Sequence, residues 1–224
     1  VPEAQPIKDA LAARGWTLSH VLLTHHHWDH VDGLPDLLAD HPAKVIGASA
    51  DAHRLPPLDL AVAEGDSFTV GGDSIEVLDV SGHTVGHIAF HAPGSKLVFT
   101  ADSLMALGCG RLFEGTPAQM LDSMTKLAAL PGDTTVCSGH EYTTTNAKFA
   151  ATVDPENAAL ISRTQDIADK RAAGMPTVPS KLQLELDTNP FLRASDPAIA
   201  RTLDMTGATP LDVFTEIRAR RDRF

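Results

Sequence analysis

Apolar residues first recur at helical spacing over residues 6–14, where Ile7, Ala10 and Leu11 share one face and Gly15 offers a stop. The pattern then shifts to short continuous apolar runs. Residues 21–23 (Val-Leu-Leu) and 44–47 read as buried strands. Between them Leu34, Leu37 and Leu38 mark a short amphipathic helix, for which Asp32-Gly33 reads as the start. Residues 54–66 carry Pro56, Pro57 and Gly65 among mixed residues and read as a loop. Residues 68–70 and 75–80 flank Gly71-Gly72-Asp73, a hairpin signal. Strands at 88–91 and 97–101 follow, separated by a Pro93-Gly94 turn. Thr116-Pro-Ala-Gln119 predicts a helix start, with a hydroxyl at the cap, proline at the first position and glutamine at the third. That helix should run to about Leu130 and close at Pro131-Gly132. Val136 and Cys137 mark the last strand. Beyond it, Asp154-Pro155, Asp196-Pro197 and Thr209-Pro210 each predict a helix start, the first helix reaching about Ala173, with an irregular stretch to Pro190. Strands interleaved with helices therefore give way to helices alone, which predicts an α/β domain over 1–141 and a mainly helical domain over 142–224.

Composition narrows the function classes. The chain has 224 residues, 43% of them hydrophobic and 21% charged, which suits an ordinary folded protein with a sizeable core. Its net charge of −11 argues against a nucleic-acid or anionic-membrane surface, and no apolar run is long enough to span a bilayer. The sign asymmetry matters more: Arg218, Arg220, Arg221 and Arg223 crowd the C-terminal end, either as a local anion site or as a solvated helix end. Two cysteines, Cys109 and Cys137, make no disulfide framework, so a reducing cytoplasm is the expected compartment.

The densest chemistry lies in Thr24-His-His-His-Trp-Asp-His30, immediately after a buried strand. His25 and His27 alternate by two, so an extended turn sends both rings to one side, and Asp29 and His30 follow at once. Nitrogen and oxygen donors at this density suit zinc or another borderline divalent ion. His83, Asp102 and His140 each end a strand or open a turn further along. The small residues around His83 let backbone approach a ligand closely, and an unpaired carboxylate after an apolar strand would be costly to desolvate. Seven donors exceed one tetrahedral ion and suit two, with Asp102 the natural bridge because a carboxylate has two oxygens.

On these residues the chain resembles the metallo-β-lactamase superfamily, whose His-x-His-x-Asp-His signature stands here as residues 25–30. Within it the resemblance is to the glyoxalase II, or hydroxyacylglutathione hydrolase, family. The more specific matches are Gly108-Cys-Gly-Arg-Leu-Phe-Glu-Gly-Thr116, Gly139-His-Glu-Tyr142 and Asn189-Pro-Phe-Leu-Arg193. The resemblance implies an αββα sandwich followed by the helical domain. It also implies two strands, roughly thirty residues with their turns, upstream of the first helix. This chain lacks them, so the sequence is expected to be part of a longer one.

The resemblance assigns His25, His27 and His83 to one ion and Asp29, His30 and His140 to the other, with Asp102 bridging. The ions are expected to be zinc, with iron or manganese as alternatives. Asp29 and Asp102 become the catalytic carboxylates. His26 is expected behind the ligands or toward solvent, and His87 behind them. The implied reaction is hydrolysis of S-D-lactoylglutathione and related 2-hydroxyacyl thioesters by a hydroxide held between the ions, the second step of methylglyoxal detoxification. The implied partner is a small glutathione thioester rather than a nucleic acid, a membrane or a second copy of the chain. Its anionic thiol part should be met by Arg111, Phe113, Tyr142, Arg218 and Arg221. Arg111 and Arg221 stand where the family has lysine, which keeps charge but changes donor geometry. Phe113 keeps the ring but loses a hydroxyl, and with it one hydrogen bond of ~1 kcal/mol. A persulfide dioxygenase relative would want a reduced ligand set, and a metal-stabilised binding module a closed four-coordinate site; neither expectation fits seven donors.

Overall fold

A computed structural model describes residues 2–224. Helix α1 (Gln5–Arg14) ends at Gly15, and its Lys8 pairs with Asp40 at 2.5 Å. Strand β1 (His20–Leu23), the one-turn helix α2 (Trp28–Val31), helix α3 (Leu34–Asp40), β2 (Lys44–Ala48) and β3 (Leu60–Val62) follow. The three strands form a parallel sheet in the order β1-β2-β3. Next come β4 (Ser67–Val70), β5 (Asp73–Asp79), β6 (Ile88–Ala92), β7 (Leu97–Ala101), the short pair β8 (Leu104–Met105) and β9 (Gly108–Cys109), α4 (Pro117–Ala128) and β10 (Thr135–Ser138). The chain closes with α5 (Thr143–Val153), α6 (Ala158–Ala172), β11 (Ser180–Lys181), α7 (Leu182–Thr188), α8 (Pro197–Thr202) and α9 (Pro210–Arg223). The larger sheet runs β11-β10-β7-β6-β5-β4, with β7 and β10 parallel and the other pairs antiparallel.

Alternation along β6 shows how the layers stack. Ile88 and Phe90 point into a core shared with Leu23, Val45 and Ile46 of the smaller sheet, while Ala89 joins Met120, Met124 and Leu127 of α4 on the opposite face. The two sheets therefore face one another, and helices cover the larger sheet's outer side. Phe149, Phe191 and Phe214, from three segments of the C-terminal half, extend the second core. α4 starts as its sequence demands: Thr116 Oγ1 accepts from Gln119 N, and Gln119 Oε1 accepts from Thr116 N. Thr209 and Asp212 build the same reciprocal cap for α9.

Four expectations change. Residues 54–66 contain β3, held at the edge of the parallel sheet by pairing with β2. The Asp32-Gly33 start holds for α3, but an unexpected helical turn, α2, precedes it and carries Asp29 and His30. Asp154-Pro155 does not open a helix. It ends α5, and Asn157 caps α6 by accepting from Ala159 N and Leu160 N. The stretch to Pro190 is irregular only as far as residue 179; from Ser180 β11 pairs with β10 and leads directly into α7.

Candidate metal centre and cleft

Four loops deliver the clustered side chains. His25, His27, Asp29 and His30 follow β1; His83 lies between β5 and β6; Asp102 follows β7; and His140 follows β10. β7 and β10 run parallel, so their C-terminal ends deliver Asp102 and His140 to the same edge, and a register shift at Cys137/Ser138 turns the chain there. Ala101, just before Asp102, has φ 42°, a left-handed conformation that costs a non-glycine residue energy and is found where a site over-determines the backbone. Gly139 is needed for close approach: a Cβ there would lie 2.5 Å from Asp102 Oδ1 and 2.9 Å from His30 Cε1.

The donor atoms fall into overlapping groups, each within 4.8 Å: His25, His27 and His83; Asp29, His30 and His140; and His25, His30 and Asp102. Asp102 joins the sets. Its Oδ2 lies 3.5 Å from His83 Nε2 and 3.3 Å from His140 Nε2, and its Oδ1 lies 3.3 Å from His30 Nε2. Asp29 Oδ2 lies 3.2 Å from His140 Nε2. His25 is fully buried, and its ring stacks on the equally buried His87 at 4.5 Å.

Burial drives His25 well below the ordinary imidazole range, lowers His27 and His83, and pushes His87 down to about 3. Burial alone would raise Asp102, but hydrogen bonding with His140 and His30 outweighs it and holds the carboxyl well below its usual range. The same bond to Asp102 raises His140. The neutral imidazoles of His25, His27 and His83 beside the ionised Asp102 carboxylate form a donor set for cations. His25 Nε2, buried with no hydrogen-bond partner among the described residues, is accounted for by the same fit.

Beside this cluster opens a cleft of about 570 Å³, in which Asp29, His83, Asp102 and His140 share the lining with Trp28, Phe113, Tyr142 and Arg111. The five side chains expected at the thiol part all line it, though not alike. Phe113 is exposed, its ring 5.6 Å from His27 and 5.3 Å from His83, and Tyr142 stacks on His140 at 4.8 Å. Arg218 is buried; it donates to Cys109 O at 3.0 Å and to Asp222 at 2.7 Å, and covers the Phe191 ring at 5.2 Å. Arg221 donates to Asn146 Oδ1 at 3.1 Å, and exposed Arg111 reaches Asp222 at 3.4 Å. Arg220, outside the cleft lining, pairs with Glu216 at 2.8 Å. Cys109 lies under Arg218, and burial pushes its thiol up to about 11, the pKa of an inert residue rather than a nucleophile.

Asn146 and Trp28 in the cleft lining, and Asp222 behind its arginines, were not legible in the sequence. Asn146 and Asp222 matter through partners 40 or more positions away or on the same helix, which no spacing reveals. Trp28 carried one signal, a large apolar side chain inside a polar cluster, and it is 66% exposed.

The metallo-beta-lactamase superfamily profile matches residues 2–140, and the profile of the hydroxyacylglutathione hydrolase C-terminus matches 141–224. The hydroxyacylglutathione hydrolase of Ruegeria pomeroyi is 68% identical over 223 residues, a match covering 100% of this chain and 88% of that protein. The chain belongs to the hydroxyacylglutathione hydrolase family. Its fold is the family's metallo-β-lactamase domain followed by a helical C-terminal domain, and it is a metal-dependent hydrolase of that superfamily. Among solved structures it is similar to BLEG-1 B3 metallo-beta-lactamase, with a TM-score of 0.63, 21% identity and 84% of each chain covered. It is also similar to TTHA1623 in a di-iron-bound form, with a TM-score of 0.58, 26% identity and 85% of each chain covered. The histidine and aspartate clusters of this hydroxyacylglutathione hydrolase family member are those of a two-ion site. Among the described residues no helix is long and apolar enough to cross a membrane.

Proposed function

We propose that the chain hydrolyses S-D-lactoylglutathione and related 2-hydroxyacyl glutathione thioesters to glutathione and the free acid, and that it does so with two zinc ions. One observation carries this reading: a single cleft brings the cation-binding cluster and a cationic wall together. The family relatives' name, hydroxyacylglutathione hydrolase, and the di-iron form of a similar structure support it. In this reading His25, His27 and His83 would hold one ion and Asp29, His30 and His140 the other, with Asp102 within reach of both groups. The chain divides into a catalytic part over 1–141 and a substrate-binding part over 142–224, in keeping with two family profiles that meet near this boundary.

When bound, such ions act as Lewis acids toward water and toward the carbonyl oxygen. The protein's own groups do the rest. Burial keeps His25, His27 and His83 neutral, with lone pairs available at neutral pH. Asp29, part-exposed at the cleft, is the carboxylate placed to take a proton from the attacking water. Arg111 and Arg221 meet the carboxylates of the tripeptide, Tyr142 offers a hydroxyl, and Phe113 packs against its apolar parts. Arg218, bonded to the Cys109 carbonyl, contributes charge from below.

Comparing hydrolysis of S-D-lactoylglutathione with that of an acyl-CoA thioester and a β-lactam, alongside metal analysis, tests the reading. A kcat/KM at least about a hundredfold higher for the glutathione thioester is expected. Equal turnover of the CoA thioester, or a preference for the β-lactam, overturns it.

A further inference from the structure

The ion-site groupings use three of the four histidines in residues 25–30 and leave His26 aside. His26 points to the other side of the loop, where its Nδ1 lies 3.0 Å from Asp51 Oδ2 and its Nε2 3.7 Å from Glu114 Oε1. Asp51, 1% exposed, is held from its far side by Arg54, whose Nη2 and Nε donate to Oδ1 at 2.5 and 3.1 Å. Arg54 then forks onto Glu114 at 2.5 and 3.2 Å. The contacts close into a ring: His26, Asp51, Arg54, Glu114 and back to His26.

The ring touches three of the segments around the cleft: residues 25–27, the His83 loop and residues 113–115. His26 stands between His25 and His27. Glu114 Oε2 accepts from Val85 N at 2.9 Å, two residues beyond His83. Gly86 presses on Asp51 so closely that a Cβ would lie 2.3 Å from its Cγ. Glu114 itself follows Phe113, in a segment whose backbone is bonded to the His83 loop through Phe113 N to His83 O and Gly115 N to Gly82 O. A lone solvated ion pair would hold none of this. A forked guanidinium between two carboxylates, one of them buried, fixes direction as well as distance. The Arg54 hydrogen bond pushes the Glu114 carboxyl down to about 2, so the pair stays charged across neutral pH.

We propose that Asp51, Arg54 and Glu114, with His26, are positioning residues: a charged clamp that sets residues 110–116, and with them Arg111 and Phe113, against the ion-binding loops. It rests on the reading that Arg111 and Phe113 face the thiol part of the substrate. The clamp acts on recognition of the thiol, not on the acyl chemistry.

The test uses Glu114→Gln, which keeps an oxygen for the Val85 amide but loses the charge, and Arg54→Met as a second, part-exposed site. Each ion-loaded variant is compared with the parent on one acyl group carried by glutathione and by N-acetylcysteamine, and backbone deuterium uptake is measured over residues 110–116. Expected are a KM for the glutathione thioester raised about tenfold with kcat changed less than about threefold, an N-acetylcysteamine kcat/KM held within about twofold, unchanged ion content, and faster uptake in that segment. Equal losses on both thioesters, or unchanged uptake, overturn the clamp. If the parent hydrolyses neither thioester, the functional reading fails on its own. Deuterium uptake then decides the clamp alone, faster exchange supporting it and unchanged exchange overturning it.

Discussion

The two walls of the cleft are built on opposite principles. The ion wall draws short side chains from four separate strand ends and buries three of them, His25 at 0% exposed, His83 at 4% and Asp102 at 6%, with the other four half-buried. Its geometry is set by packing, by a strained Ala101 and by a glycine that leaves no room for a side chain. The cationic wall uses long arginines on α9 and on residues 110–116, each already occupied by Asp222, Asn146 or the Cys109 carbonyl. One wall is complete before any substrate arrives, whereas the other must exchange internal partners for external ones. Chemistry is therefore expected to depend steeply on the first wall and recognition more gradually on the second.

Asp102→Ala should separate the walls most sharply. With the shared carboxylate gone, ion content and thioester hydrolysis should both fall, the latter by on the order of 10³-fold; metal analysis beside kinetics checks it. A fully active, ion-free variant would erase the contrast. Arg218→Met comes next. KM should rise about tenfold with a smaller change in kcat, and stability should fall by about 1–2 kcal/mol, because the buried guanidinium bonds to Cys109 O. Denaturant unfolding read with steady-state kinetics tests both halves, and an unchanged KM would remove Arg218 from the recognition wall. Phe113→Tyr is the gentlest probe. Restoring a hydroxyl should lower KM by up to about fivefold, equivalent to ~1 kcal/mol, without altering ion content. A fall in kcat instead would mean that residue 113 acts on the ion side.

Most of the ion wall was legible because its residues are chemically conspicuous: four histidines and an aspartate directly after an apolar strand leave little other reading. The Thr116 and Thr209 caps were legible for a similar reason, being local hydrogen-bond grammar. α5 was not. Thr143-Thr-Thr-Asn-Ala-Lys-Phe has weak helical propensity, and the helix is fixed by burying Ala147, Phe149, Ala150 and Val153. Asp154-Pro155 misled because a proline pair can mark either end of a helix. Here Asp154 accepts from Asn157 at 2.8 Å and pairs with Arg193 at 3.3 Å, leaving Asn157 to cap. On the cationic wall the sequence showed the arginines but not their occupants, which are brought together only by the fold. Asn189 illustrates the same limit. Its motif was visible, but its work, donating to Met105 O and Gly108 O from 81 or more positions away, needed coordinates.

Cys109 gives the cleft a further property. The proposed reaction releases a thiol beside this residue, and the disulfide form of that thiol would exchange with any thiolate it met. Burial pushes the Cys109 thiol up to about 11, which keeps it protonated at neutral pH, and Arg218 covers the sulfur at 3.9 Å. A thiol buried under Arg218 and held in its protonated form is a poor partner for such exchange, so the proposed product would leave past an unreactive sulfur.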